Sequence, residues 1–389
     1  MINLPLLKNA KDITGKRVIV RIDVNVPIEN GEVTDDFRIR RILPTLTYLK
    51  EKAARVILIG HHSYESQTLE PVARHLNRFI KTSFVRDIFN KNLYTEKDTF
   101  FLCENLRFFK EEKENDTAFA KKLASLGNVY INEAFSVSHR AHASIISIPK
   151  FLPSYAGLLF EEEITHLEMA FNPPRPSLFI LGGIKASTKL PLALKFIDTA
   201  DNIFIGGAVV NNILKQQGYE VGRSIIDEAH IDCKKLILSE KVIMPLDVIV
   251  QNKKGEKSVK KPTEVLPDEK MLDAGPETMS YLAGLISKSA FVVWNGPLGD
   301  YEHGFEKSTI ELINAFTKSK AKTLIGGGDT IAAISRFGRE DHFGFISTGG
   351  GAMLQFLLDR TLPGIEALRV ADTRGVNARL RRGFGGQAE

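Results

Sequence analysis

The chain has 389 residues and a formal net charge of +5, with 43% hydrophobic and 25% charged residues. That composition excludes a disordered, collagen-like or coiled-coil chain, and the length predicts two domains of ordinary size. No run of eighteen apolar residues is present to span a membrane, and the first residues, MINLPLLKNAKDITGK, lack the charged region and long apolar core of a secretion signal.

In chain order, short aliphatic runs alternate with amphipathic stretches. Strands are expected at Arg17–Arg21, Val56–Ile59, Phe100–Cys103 and Val129–Asn132. Between them, Arg38–Lys50 places Ile39, Ile42, Leu43, Leu46 and Leu49 on one helical face, and Leu69–Phe79 and Asp116–Leu126 follow the same period. Glu161–Phe171 is charged and reads as a helix. It runs into Asn172-Pro173-Pro174-Arg175-Pro176, whose prolines stop a helix and stiffen the chain. The alternation resumes with strands at Leu178–Leu181, Ile203–Ile205, Phe291–Trp294 and Thr323–Ile325, and helices at Leu190–Asp198, Val209–Gln217 and Ala352–Leu358. The strands are continuous apolar runs, the pattern of strands buried on both faces. An α/β protein with parallel sheets and helices on both sides is expected.

The expected boundaries are an N-terminal domain over 1–160, a helix and linker over 161–176, a C-terminal domain over 177–368, and a basic tail over 369–389. The tail shows no periodicity and is expected to be flexible. It carries Arg369, Arg374, Arg379, Arg381 and Arg382 against Asp372 and Glu389, so the body is near neutral. That argues against a nucleic-acid surface, which needs a basic stripe on the folded body. Cys103 and Cys233 are too few for a disulfide framework or a CxxC metal site, which suits a reducing cytoplasm.

Glycine clusters follow four C-terminal strands: Gly182-Gly183, Gly206-Gly207, Gly326-Gly327-Gly328 and Gly349-Gly350-Gly351. Glycine lets backbone N–H groups approach a ligand, and ligands of open α/β sheets bind at the carboxyl ends of strands. Any one cluster reads as a tight turn. Four on one sheet edge point to a nucleotide phosphate site. Neither GxxxxGK[ST] nor a helix-opening GxGxxG is present. Instead, Gly183-Ile184-Lys185-Ala186-Ser187-Thr188-Lys189 sets two lysines four apart at a helix start, which suits a polyphosphate. A pair of solvated lysines is the plainer alternative. Asp329 suits either a phosphate-bound Mg²⁺ or a helix N-cap.

In the N-terminal half, Asp23 and Asn25 end the first strand, Arg38 and Arg40 open the next helix, His61 and His62 end the second strand, Arg107 follows Cys103-Glu-Asn-Leu, and His139, Arg140 and His142 follow the strand at Val129–Asn132. Parallel strands would gather them into one basic bowl for a small phosphorylated carboxylate. Singly, each arginine is more often a surface ion pair.

The motifs now resemble a known family. Arg21-Ile-Asp-Val-Asn-Val-Pro27, Glu104-Asn-Leu-Arg-Phe108, His139-Arg-Ala-His-Ala-Ser144, Gly218-Tyr-Glu-Val-Gly222, Trp294-Asn-Gly-Pro297, Gly326-Gly-Gly-Asp329 and Ser347-Thr-Gly-Gly-Gly351 stand in the order and spacing of the phosphoglycerate kinase family, over roughly Met1 to Leu368. The resemblance implies two Rossmann-like domains joined by a helix and hinge, and reversible phosphoryl transfer between 1,3-bisphosphoglycerate and ADP. It implies 3-phosphoglycerate bound in the first domain by Asp23, Asn25, Arg38, His61, Arg107 and Arg140. It implies Mg-ATP bound in the second by Lys185, Lys189, Asn295, Glu302, Gly327, Gly328, Asp329 and Thr330, beside the turns at Gly183 and Gly207. Glu302 would sit at the ribose and Asp329 near the metal. Arg38, Lys189 and the helix start at Gly350 would act on the transferred group. The partners implied are these small molecules, with no nucleic acid and no membrane, and a monomer is expected.

The chain departs from the family pattern in places. His61-His-Ser-Tyr-Glu65 stands where the family has His-Leu-Gly-Arg-Pro, so Tyr64 replaces a cationic contact. His62 is the nearest residue to compensate, when protonated. Asn132-Glu-Ala-Phe-Ser136 replaces Asn-Asp-Ala-Phe-Gly, and Ala208 and Met271 replace glycines of the family's adenine pocket. A binding protein that kept the fold, or a kinase for a related phosphorylated acid, are the competing readings. Retention of Arg38, Lys185, Lys189 and Asp329 together favours catalysis.

Overall fold

The computed structural model describes the chain except residues 1, 11–12, 91, 93, 95–98, 229–230, 337–339 and 384–389. It divides into two compact units, Met1–Thr165 with Asp359–Glu389, and His166–Leu358.

The first unit contains β1 (Arg17–Arg21), a small hairpin of β2 (Ile28–Glu29) and β3 (Glu32–Val33), then β4 (Arg55–Ile59), β5 (Ser83–Val85), β6 (Phe100–Cys103), β7 (Val129–Asn132) and β8 (Ser154–Ala156). Six of these form a parallel sheet in the order β5-β6-β4-β1-β7-β8. Its helices are α1 (Phe37–Glu51), α2 (Glu70–Leu76), α3 (Lys110–Lys113) and α4 (Thr117–Ala124). Val18, Val20, Leu58, Leu102 and Ile131 of the strands bury against Ile39, Ile42 and Leu46 of α1 in one core. Each such aliphatic side chain contributes about 1.5–3 kcal/mol. The register aligns Arg21 with Ile59 on one side and Asn132 on the other, so three strand ends finish in one row.

The helix α5 (Leu158–Glu168) crosses the division between the units. The second unit contains β9 (Ser177–Leu181), β10 (Asn202–Ile205), β11 (Val242–Ile243), β12 (Val248–Gln251), β13 (Lys257–Lys260), β14 (Lys270–Ala274), β15 (Phe291–Asn295), β16 (Lys322–Gly326) and β17 (Phe345–Ile346). A parallel sheet runs β11-β10-β9-β15-β16-β17, and β13-β12-β14 form a small antiparallel sheet. Its helices are α6 (Ala186–Phe196), α7 (Val209–Gln216), α8 (Lys234–Ile237), α9 (Pro276–Lys288), α10 (Lys307–Thr317), α11 (Gly328–Arg336) and α12 (Gly351–Asp359). Asn295 pairs in register with Leu181 and Gly326, which sets the glycine turns side by side.

The α/β class and the parallel sheets agree with the sequence reading. The small antiparallel sheet was not expected, because Lys257–Lys260 is almost wholly solvent-facing and carries no apolar run. The C-terminal segment also differs. The helix α13 (Pro363–Gly383) continues through the stretch read as irregular after Leu368, and it clusters with the first unit, not with the second. Pro363 suits the first helical position, buried Ile365 and Leu368 anchor the first turns, and Gly364 N–H donates to Ser138 O at 2.8 Å. Arginine has nearly the helix propensity of alanine, so the basic composition does not stop the helix. Residues 384–389 of the expected tail lie outside the described residues. Among the described residues, no helix is long and apolar enough to cross a membrane.

Candidate active site

In the first unit, the strand ends gather the residues named from sequence. Arg38 forms an ion pair with Asp23, and Ser136 Oγ donates to the same carboxylate oxygen. The other oxygen accepts from Asn25 N at 3.0 Å. Asn25 Oδ1 in turn accepts from Ser63 N at 2.8 Å, which ties the end of β1 to the loop after β4. His61 is 2% exposed, and its Nδ1 lies 2.6 Å from Arg21 Nη2. Arg107 Nη1 donates to Ser63 O at 3.0 Å, while its Nε is buried without a hydrogen-bond partner. Arg140 Nε contacts His139 Nε2 at 3.4 Å. Arg40 instead pairs with Asp36, the N-cap of α1.

The electrostatics show how closely these cations are packed. Burial, then Arg21, Arg107 and Arg140, hold His61 far below the usual imidazole range. Burial, then Arg21 and Arg140, push His142 down to about 4. Burial, then Arg140 and Arg21, lower Arg107. Both histidines are therefore neutral near pH 7, and the positive charge of the bowl comes from arginine.

The expectation for His62 does not hold. Its Nε2 contacts Val26 O at 3.1 Å, and its Nδ1 accepts from Tyr64 N at 3.2 Å. Both ring nitrogens are engaged by backbone, so neither is free to replace a cationic contact to substrate. Tyr64 itself is 73% exposed, with its ring centroid 5.5 Å from that of His62.

In the second unit, two glycine turns touch. Gly183 N donates to Pro297 O at 2.8 Å, and Gly182 N to Asn295 O at 2.9 Å. Gly296 has φ +100°, and a Cβ there would come within 2.2 Å of Gly182 O. Only glycine permits that approach. Lys189 lies one turn into α6 and is 8% exposed, and its Nζ donates to Asn295 Oδ1. Burial lowers its pKa to about 8, with Asp329 acting in the opposite sense. Lys185, exposed, sits at the N-cap of α6. The helix starts at Ala186, earlier than the apolar pattern indicates, because Ser187 N and Oγ both donate to Asp227 Oδ2, at 2.8 and 2.7 Å. Thr330 Oγ1 accepts from Gly296 N at 2.8 Å. Asp329 lies inside the first turn of α11, not at its N-cap, where a carboxylate also favours the helix dipole.

A cavity of about 250 Å³ opens among these turns, lined by Gly183, Gly207, Ala208, Met271, Glu302 and Asp329, among others. Lys189 and Asn295 lie outside its lining. Sequence reasoning missed Asn211, Lys270, Asp300 and Tyr301, which also line it. The Tyr301 hydroxyl is raised by burial, then by Asp329 and Glu302. Asp300 and Tyr301 adjoin Glu302 and were within reach of the Trp294-Asn-Gly-Pro297 motif. Asn211, in the first turn of α7, carries no signal of its own.

A cationic bowl on one parallel α/β unit and a glycine-walled cavity lined in part by Lys270 on another define a two-substrate phosphotransferase. The phosphoglycerate kinase family model matches residues 7–360. A phosphoglycerate kinase of Dictyoglomus turgidum is 38% identical over 383 residues, covering 92% of this chain and 97% of that protein. One of Finegoldia magna is 39% identical over 389 residues, covering 93% and 98%. The solved phosphoglycerate kinase of Coxiella burnetii superposes with a TM-score of 0.82 at 34% identity, covering 94% of this chain and 99% of that one. That of Pyrococcus horikoshii gives 0.83 at 29% identity, covering 95% and 100%. The chain belongs to the phosphoglycerate kinase family. It is a kinase with a carboxyl group as acceptor, catalysing reversible phosphoryl transfer between 1,3-bisphosphoglycerate and ADP in glycolysis. The readings as a fold-retaining binding protein or as a kinase for another acid are not favoured.

Proposed function

We propose that the first unit binds 3-phosphoglycerate through Asp23, Asn25, Arg38, His61, Arg107 and Arg140, with Tyr64 at its lip. The second unit would bind the nucleotide through Lys185, Lys189, Asn295, Glu302 and Gly327–Thr330, with Gly183 and Gly207. The observation that carries this reading is Lys189, a buried ammonium whose hydrogen bond goes to the neutral amide of Asn295. A buried charge hydrogen-bonded to a neutral amide, with Asp329 acting on it only from beyond ion-pair distance, is costly unless it meets a closer anion, and a nucleotide phosphate supplies one.

In the kinase direction, a carboxylate oxygen of 3-phosphoglycerate attacks the γ-phosphorus of ATP. The bond from that phosphorus to the β,γ-bridging oxygen breaks, and ADP leaves. The carboxylate is already ionised, so no general base is needed. The protein positions the ends and offsets the charge spread over three equatorial oxygens. Arg38 and Lys189 meet the transferred group, and backbone N–H groups at Gly350, where α12 begins, assist. Lys185 holds the nucleotide phosphates. Transfer requires the two ligands to meet, so closure of the hinge accompanies the reaction.

A metal fits this site only as a phosphate-bound ion. Among the described residues, no cluster of three metal-ligating side chains occurs, and Asp329 stands on a cavity wall that also carries Asp300 and Glu302. That donor set suits Mg²⁺ held chiefly by phosphate and water. Asp329 would hold it, and bound there it neutralises nucleotide phosphate charge. We further read the protein as a cytoplasmic monomer. Both cysteines are buried and unpaired, as in a reducing compartment.

Calorimetry with each ligand separately tests the division of labour. Arg140→Ala is expected to raise KM and Kd for 3-phosphoglycerate about ten- to a hundred-fold, the worth of a charge-assisted bond to phosphate, and to leave ATP binding unchanged. Equal losses on both substrates would assign Arg140 to the scaffold. Tyr64→Arg should lower KM for 3-phosphoglycerate several-fold by returning a cation to the lip, at roughly 1 kcal/mol for an exposed charge pair. An unchanged KM would place position 64 beyond reach of substrate.

A further inference from the structure

We propose that Glu112 is a positioning residue for the glycerate bowl: through Ser144 and Arg21 it fixes the ring of His61 so that Nε2–H is the group offered to substrate. The proposal rests on the assignment of 3-phosphoglycerate to the first unit.

Glu112 lies in α3 and is 1% exposed. Both of its oxygens accept from Ser144, one from the backbone N at 2.9 Å and the other from Oγ at 2.5 Å. A serine hydroxyl has one proton. Donated to Glu112, it leaves Oγ to act as an acceptor, and Arg21 Nε donates to it at 2.9 Å. The same guanidinium donates through Nη1 to Ile22 O at 2.5 Å. With two arms of its rigid fork set, the third aims Nη2 at His61 Nδ1, 2.6 Å away. Tyr130 OH holds the Ser144 carbonyl from the other side at 2.7 Å.

The direction of these bonds decides the state of His61. Arginine only donates, so His61 Nδ1 must be the bare acceptor, and the proton of the neutral ring then sits on Nε2. The charged and titratable groups that act on this ring are Arg21 on β1, Arg107 after β6, and Arg140 and His142 after β7, and they keep it neutral together with burial. The sequence of donors therefore ends in a neutral N–H. The plainer role for Glu112 is to balance the buried Arg21 charge, which would stabilise the fold without selecting a tautomer.

The test uses the full chain with ¹⁵N-labelled histidine and long-range ¹H–¹⁵N spectra of the His61 ring. The wild type should show a bare Nδ1 and a protonated Nε2, and the Nε2 resonance should move on addition of 3-phosphoglycerate. Glu112→Gln keeps shape and removes charge, and Ser144→Ala removes the relay oxygen but keeps Glu112. Each should yield a mixture of His61 tautomers and raise KM for 3-phosphoglycerate about ten-fold, the usual effect of one lost buried hydrogen bond. KM for ATP should hold, and kcat should change less than about two-fold. Glu112→Asp should restore the single tautomer in part. If Glu112→Gln does not fold, Ser144→Ala carries the same readouts. A His61 ring that stays Nε2-protonated in the variants, or a KM that does not rise, overturns the proposal in favour of a structural ion pair. A wild-type Nε2 resonance that ignores 3-phosphoglycerate would instead strike at the ligand assignment, and the proposal would fall with it.

Discussion

Lys189→Ala is expected to cut kcat about a hundred- to a thousand-fold, the usual loss on removing one preorganised donor from a transition state, and to leave KM for 3-phosphoglycerate nearly unchanged. The ammonium is buried, and its hydrogen bond to Asn295 aligns it beside the glycine turns. A charge held there interacts more strongly with phosphoryl oxygens than one in water. The same burial makes a pH prediction. With a pKa lowered to about 8, Lys189 is charged below that value and loses its charge as pH rises through it. In the wild type, kcat/KM for nucleotide should therefore fall above about pH 8. Bound phosphates favour the charged form, so kcat itself should fall only at higher pH. Lys189→Ala should lack this alkaline limb. A variant that keeps more than about a tenth of the activity, or an alkaline limb that survives in it, would remove Lys189 from this role.

Arg38→Ala should lower kcat by about a hundred-fold or more, since it removes a second cation assigned to the transferred group. The ion pair with Asp23 complicates the result. Asp23 is buried and also held by Ser136 and Asn25, so losing Arg38 leaves a carboxylate without its counter-charge. The double variant Arg38→Ala, Asp23→Asn separates the two effects. It should recover the thermal midpoint but not kcat. Recovery of kcat would mean that Arg38 serves to hold Asp23 in place and does not touch the phosphoryl group.

The central strands were legible because each is a short apolar run buried on both faces, as at Arg17–Arg21 and Phe291–Asn295. Strands Ser83–Val85 and Ser154–Ala156, only three residues each at the sheet edges, were not, because so short a segment shows no period. The helical continuation past Leu368 was misread because that stretch shows no apolar period and the anchoring residues Ile365 and Leu368 bury against distant chain. Asp329 and Lys189 were singled out from glycine clusters and spacing. The lowered pKa of Lys189 was invisible, since burial is a property of the packed environment.

By itself, the sequence determined the class and the parallel strand–helix alternation, because local periodicity and residue type are enough to specify them, and it singled out the residues now proposed for the chemistry. Only the tertiary structure decided which donors those residues face. His62 was expected to offer charge to substrate, but backbone takes both ring nitrogens, Val26 O from the loop after β1 and Tyr64 N from its own loop. Glu112 carried no signal, yet it stands at the head of a hydrogen-bonded series that ends at His61. Such roles depend on side chains brought together across long stretches of chain, as Arg21 and Ser144 are. Hydrogen-bond direction and desolvation act over a few ångströms in space, and sequence spacing does not encode them.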